Sequence, residues 1–293
     1  MKQPACIWAL RATLGEGPVW HAADSAVYFV DIKGRKIHRC AADGSAQRSW
    51  GMPDEVGFAL PARDGGFVCG LPGRVVHAAL GDKELAGLTL LYRLEADLPG
   101  NRLNDGYIDR HGSLWFGSMD NDETAASGTL YWLGEGRLQR KDSGCVITNG
   151  PAASPDGRTF YHTDTLEKTI YAYDMGPHGE LSGKRVFTRI SGSGYPDGTT
   201  VDAEGAVWVA LFGGARIERY SPAGELLDAV AMPCSNITKI AFGGQDLRTV
   251  FVTTARKGLT DAELAAQPLA GGLFTFHADV PGQPQYQFDR IST

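Results

Sequence analysis

Asp197-Gly-Thr-Thr-Val-Asp-Ala-Glu-Gly205, followed by Val207-Trp-Val209, decides the reading of this chain, because the same arrangement recurs. The matching stretches are Glu16-Gly-Pro-Val-Trp-His-Ala-Ala-Asp24, Asn104-Asp-Gly-Tyr-Ile-Asp-Arg-His-Gly112 and Asn149-Gly-Pro-Ala-Ala-Ser-Pro-Asp-Gly157. In each, an oxygen-bearing side chain stands eight positions ahead of a polar turn. After each turn comes an aromatic, β-branched run: Val27-Tyr-Phe-Val30, Leu114-Trp-Phe116 or Thr159-Phe-Tyr161. Such runs suit half-buried strands.

Working outward, comparable turns fall near Asp24, Asp64-Gly65, His111-Gly112, Asp156-Gly157, Glu204-Gly205 and Gln245-Asp246. Their spacing of about 40–48 residues is that of propeller blades. Three units repeat a further hairpin arm: Lys36-Ile-His-Arg-Cys40, Thr169-Ile-Tyr-Ala-Tyr173 and Arg216-Ile-Glu-Arg-Tyr220. The expected fold is all-β: one domain over residues 1–293, a six-bladed β-propeller of four-stranded antiparallel blades around a central metal-binding tunnel. One blade cannot bury both its faces, whereas six packed radially can. Ring closure should pair the N-terminal strand around Ile7–Leu10 with Leu273–Phe276 or Tyr286–Phe288. Thr260-Asp-Ala-Glu263 is a capping box that predicts a helix of one or two turns in the last blade, stopped by Pro268.

Composition narrows the function. The chain has 293 residues, 43% hydrophobic and 21% charged, with a net charge of −6. No Lys or Arg run offers a footprint for nucleic acid. No apolar stretch reaches the roughly 20 residues of a membrane helix. Ala5-Cys-Ile-Trp-Ala-Leu10 reads as a strand and not as a signal peptide. Five cysteines without a Cys-x-x-Cys spacing suit reduced thiols, hence a cytoplasmic protein. The histidines lack metal-cluster spacing, and nucleophile-elbow and phosphate-loop motifs are missing. Nothing demands more than a monomer.

If the repeats stack about an axis, Glu16, Asn104, Asn149 and Asp197 converge there. Two carboxylates and two amides form an oxygen-rich shell for a hard cation, Ca2+, Mg2+ or Mn2+, and Zn2+ or Fe2+ also accept carboxylate oxygen. The second unit has only Val56 and Gly57 at the matching position, which predicts an apolar, open wall. Arg102 lies two residues before Asn104 and should point the same way. Asp122 follows in a loop with Asn121 and Glu123. Asn236 and Lys239 begin the corresponding strand of the last unit. His162 is expected to pack inside its blade.

The chain resembles the regucalcin and gluconolactonase family of sugar-lactone hydrolases, also called the senescence-marker-protein family. The resemblance rests on Leu14-Gly-Glu-Gly-Pro-Val-Trp20, Asn101-Arg-Leu-Asn-Asp-Gly106, Ile147-Thr-Asn-Gly150, Ser154-Pro-Asp-Gly157 and Tyr195-Pro-Asp-Gly198. It implies a six-bladed propeller with one divalent cation held by Glu16, Asn149 and Asp197. It also implies substrate contacts from Arg102 and Asn104, with Asp122 where family members often carry Glu. The stretches Phe160–Tyr173 and Thr253–Leu259 are most similar to bacterial xylonolactonase-type enzymes. The implied reaction is metal-dependent hydrolysis of a sugar-acid lactone in oxidative sugar catabolism. Asp197 is then the expected general base. The alternative is a calcium-binding regulatory propeller without turnover.

Overall fold

The computed structural model describes residues 3–289. Strand β1 (Ala5–Trp8) precedes the first complete blade, β2 (Gly15–His21), β3 (Ala26–Asp31), β4 (Lys36–Ala41) and β5 (Arg48–Gly51). Blade two is β6 (Phe58–Pro61), β7 (Phe67–Leu71), β8 (Arg74–Leu80) and β9 (Leu85–Arg93). Blade three is β10 (Asn101–Ile108), β11 (Leu114–Asp120), β12 (Gly128–Gly134) and β13 (Arg137–Cys145). Blade four is β14 (Thr148–Ala153), β15 (Thr159–Asp164), β16 (Thr169–Met175) and β17 (Leu181–Arg189). Blade five is β18 (Tyr195–Val201), β19 (Val207–Phe212), β20 (Arg216–Tyr220) and β21 (Leu226–Ala231). Blade six holds β22 (Ile237–Gly243), β23 (Thr249–Thr254) and β24 (Leu273–His277), with α1 (Asp261–Ala266) between the last two.

Every pairing within a blade is antiparallel, and the inner strands touch in the order β2, β6, β10, β14, β18, β22 and back to β2. The molecule is thus a six-bladed β-propeller. Blade six is completed by β1, whose Ala5 and Cys6 lie opposite Thr275 and Phe274 of β24. Of the two closures the sequence offers, the one at Leu273–Phe276 forms. The alternative segment, Tyr286–Phe288, does another job. Residues 279–289 cross the face where the inner strands end. Gln283 Nε2 donates to the carbonyls of Ala153 at 3.0 Å and Val201 at 3.1 Å. Phe288 N reaches the Pro61 carbonyl at 2.8 Å, and Asp289 N that of Gly112 at 2.9 Å. The helix is capped as its sequence requires, Thr260 Oγ1 accepting from Glu263 N while the Glu263 carboxylate accepts from Thr260 N.

The aromatic runs after the turns join blade to blade. Tyr28 and Phe67 link blades one and two with ring centroids 4.6 Å apart, and Phe58 and Phe116 link two and three at 5.9 Å. Trp115 meets Phe160 at 4.2 Å, and Phe187 meets Tyr220 at 6.5 Å. Trp208 meets Phe242 at 5.6 Å, and Trp20 stacks on Phe251 at 5.7 Å across the closing seam. Each of the six interfaces therefore carries an aromatic pair, worth about 0.5–1.5 kcal/mol beyond its buried area. His162 is buried inside blade four, away from the axis, as expected. All five cysteines are free thiols. Burial pushes the Cys40 thiol up to about 12, far from the reactive range. No helix among the described residues is long and apolar enough to cross a membrane.

Candidate metal centre and active site

Five inner strands are bulged at the same height, and the bulges build the site. Register shifts fall between Glu16 and Val19, Leu103 and Gly106, Asn149 and Ala152, Pro196 and Thr199, and Ile237 and Lys239. A bulge sets two residues against one, so it breaks the alternation of side chains and re-aims them. Glycine permits this in two blades, Gly17 at φ +54° and Gly150 at φ +56°. Strand β6 of blade two pairs without a bulge. There Gly57 lies against its neighbour so closely that a Cβ would stand 2.2 Å from the Leu103 carbonyl oxygen.

Glu16, Asn149 and Asp197 are brought together in one cavity of about 280 Å3, shared with Arg102, Asn104, Glu123, Tyr195 and Lys257. The three candidate ligands are 6%, 3% and 7% exposed. Glu16 accepts one hydrogen bond, from Gly17 N at 2.7 Å. Asp197 accepts none from any described residue. Asn149 Oδ1 accepts from Asn104 Nδ2 at 2.8 Å, while its own Nδ2 donates to Thr165 Oγ1 at 3.0 Å. The amide oxygen thus faces the cavity with one lone pair unused. Asn104 is committed differently. Its Oδ1 accepts from Arg102 Nη1 at 2.6 Å and its Nδ2 donates to the Thr148 carbonyl at 2.8 Å. Of the four oxygen-bearing positions the repeat picks out, Asn104 turns its oxygen to the Arg102 guanidinium, already a cation, which leaves Glu16, Asn149 and Asp197 as the candidate set for a metal.

The electrostatics follow from burial. Desolvation, then the charge of Asp105, pushes the Glu16 carboxyl up to about 8, against the pull of Lys239, the Gly17 amide and Arg102. Desolvation, then Glu16 and Asp105, holds Asp197 well above the usual carboxylate range, with Lys239 and Lys257 opposing. Two buried carboxylates close together with one donor between them are costly unless a cation joins them. The donor set fits a divalent ion: two carboxylates and an amide oxygen, with room left for water or substrate. No group of three His, Cys, Asp or Glu side chains among the described residues is placed to hold a metal.

The mouth differs from expectation in one place. Asp122 is exposed and does not line the cavity, whereas Glu123 does. The reason is local. Asp120 gathers the loop, accepting from Ala125 N at 2.8 Å, Thr124 N at 2.9 Å and Thr124 Oγ1 at 3.0 Å, which holds its carboxyl down at about 2. Glu123 then takes φ +60° and pairs with Lys257 of blade six. Behind Arg102, Lys33 donates to Glu55 Oε1 at 3.0 Å and Asn121 Oδ1 at 2.8 Å. Arg102 Nε also donates to Asn121 Oδ1, at 3.0 Å. This network fixes the guanidinium, which is only 3% exposed.

Sequence reasoning did not single out Glu123, Lys257 or Asp105. Asp105 follows Asn104 directly, and strict strand alternation would turn one of them away from the axis; the bulge lets both face inward. Lys257 and Glu123 are 134 residues apart and meet only once the ring is closed.

Residues 14–256 match the family described as the SMP-30/Gluconolactonase/LRE-like region. The chain is 36% identical to an L-arabinolactonase of Azospirillum brasilense, covering 95% of this chain and 93% of that one. It is 33% identical to a 6-deoxy-6-sulfogluconolactonase of Pseudomonas putida, covering 94% and 95%. Among solved structures, a calcium-binding regucalcin from Agrobacterium tumefaciens superposes with a TM-score of 0.93 at 28% identity, covering 99% of this chain and 98% of that one. The chain belongs to the SMP-30/gluconolactonase/LRE-like family.

Proposed function

We propose that this protein is a sugar lactone lactonase that opens an aldonolactone ring with the help of one divalent cation held by Glu16, Asn149 and Asp197. The observation that carries the reading is a buried pair of carboxylates, one without any protein donor, beside an oriented arginine in a cavity of sugar size. Two relatives named for different sugar lactones share the ring-opening step. The substrate class is therefore a pentono- or hexonolactone, such as xylono-, arabinono-, galactono- or gluconolactone. The protein works as a monomer on this small molecule, without nucleic acid.

A bound Ca2+, Zn2+, Fe2+, Mn2+ or Mg2+ would supply Lewis-acid polarisation of the lactone carbonyl. Asp197 acts as general base, taking a proton from the attacking water on its carboxylate. The water oxygen bonds to the carbonyl carbon, the ring carbon–oxygen bond breaks, and the departing ring oxygen recovers the proton from Asp197. Arg102 and Asn104 hold the sugar, Arg102 being locked by Asn104 and Asn121 before substrate arrives. Glu123 takes the acidic position at the mouth that the resemblance assigns to Asp122.

The test follows acid release from a panel of aldonolactones by pH-stat, with and without a chelator. Release that stops with the chelator and returns with metal is expected. Tight metal binding with no release from any lactone would select the regulatory calcium-binding reading. That reading leaves the buried, oriented Arg102 without a task.

A further inference from the structure

Beneath the cavity the axis carries a second charged element that ring opening does not use. Asp105 is 2% and Lys239 7% exposed. The Lys239 ammonium contacts Asp105 Oδ1 and donates to the Gly106 carbonyl at 3.3 Å. Asp105 also accepts from Gly106 N at 2.7 Å and Gly150 N at 3.0 Å. The lysine comes from β22 of blade six and the aspartate from β10 of blade three, so the pair spans the axis between opposite blades. The lysine stem lies on Gly198, where a Cβ would stand 2.4 Å from Lys239 Cγ. The residue after Asp197 is thus small because the lysine passes over it.

Glu16, Asp105 and Asp197 place three buried carboxylates on one axis. A single divalent ion leaves one of them uncompensated, and an uncompensated buried carboxylate recruits a counter-charge. Four bulged inner strands send oxygen donors to the axis, and β22 sends an ammonium. We infer that Lys239 occupies the second cation position of the tunnel, so that the axis takes one divalent ion and not two. The inference rests on the divalent-ion reading above and makes Lys239 a positioning residue.

Calcium alone is the probe, and bound ions are counted by calorimetry and by elemental analysis after dialysis. The unaltered protein should bind one ion, Lys239→Ala two, and Lys239→Ala with Asp105→Asn one again. If the unaltered protein binds none, the divalent-ion reading falls and this inference with it. If it binds one and Lys239→Ala also binds one up to millimolar calcium, this inference alone is overturned. Two ions on the unaltered protein overturn it as well. Should Lys239→Ala unfold in chelator, recovery by calcium but not by sodium chloride of equal ionic strength supports the second site. Failure to recover overturns it.

Discussion

Two sets of buried carboxylates lie at opposite ends of the inner strands and have opposite surroundings. Asp109 and Asp202 sit past the far ends of their inner strands, each in an Asp-x-x-Gly-x-x-Trp turn. Asp202 is fully buried and accepts from Glu204 N at 3.0 Å, Ala206 N at 2.9 Å, Trp208 Nε1 at 2.9 Å and Arg219 Nε at 2.9 Å. Asp109 accepts from His111 N at 2.9 Å, Ser113 N at 3.0 Å and Trp115 Nε1 at 2.9 Å. Glu16 and Asp197, at the near ends, have one protein donor between them. The difference teaches that burial does not mark a functional carboxylate. What sets Glu16 and Asp197 apart is burial with one donor between them, which folding alone gives little reason to keep.

The comparison is sharpened most by changing Asp197. Asp197→Asn keeps the shape and removes the charge, and kcat on the lactone found by the pH-stat panel should fall by about 10^2–10^4. Thermal stability without metal should hold or rise. A variant that keeps most of its kcat would show that another group is the base.

Glu16→Gln comes next. Divalent-ion affinity, measured by calorimetry, should drop about 100-fold or more, since even outer neighbours of a metal cost 10–100-fold. The melting temperature in chelator should rise, because a desolvated charge beside Asp197 has gone. A falling melting temperature would place Glu16 among the structural carboxylates.

Asp202→Ala should do the reverse. It takes the acceptor from Glu204 N, Ala206 N and Trp208 Nε1 and leaves Arg219 with Glu204 alone, at a cost of about 3–5 kcal/mol, read as a lower denaturation midpoint. Ion affinity per folded molecule should stay put. Loss of ion binding in a folded Asp202→Ala would erase the distinction between the two ends.

The smallest effect is a slope. Glu16 carries a folded-state pKa of about 8 against an ordinary value of 4.5, and Asp197 is shifted the same way. Between those values the native state binds more protons than the unfolded chain. The stability of the metal-free protein should therefore be full below about pH 4.5 and decline as pH rises towards 8. Saturating metal should flatten or invert this slope. A metal-free protein that gains stability over the same range would contradict the assignment.

The fold was legible because its signals are local. Each turn, each aromatic run and the helix cap lie within a few neighbouring residues, and the repeat multiplies them. The convergence of Glu16, Asn149 and Asp197 on one cavity was legible for the same reason, as equivalent positions of one repeat. Glu123 was not, because a loop gathered by Asp120 decides which of two adjacent acids turns inward. The Lys239–Asp105 pair was hidden twice over, by a bulge that defeats alternation and by a contact that exists only when the ring closes.

The most direct measurement is a crystal grown with Mn2+ and imaged by anomalous scattering at the manganese edge. One peak is expected on the axis, within about 2.0–2.6 Å of oxygens from Glu16, Asn149 and Asp197. A tunnel without a peak at millimolar Mn2+, or a peak bound by other residues, would contradict the account.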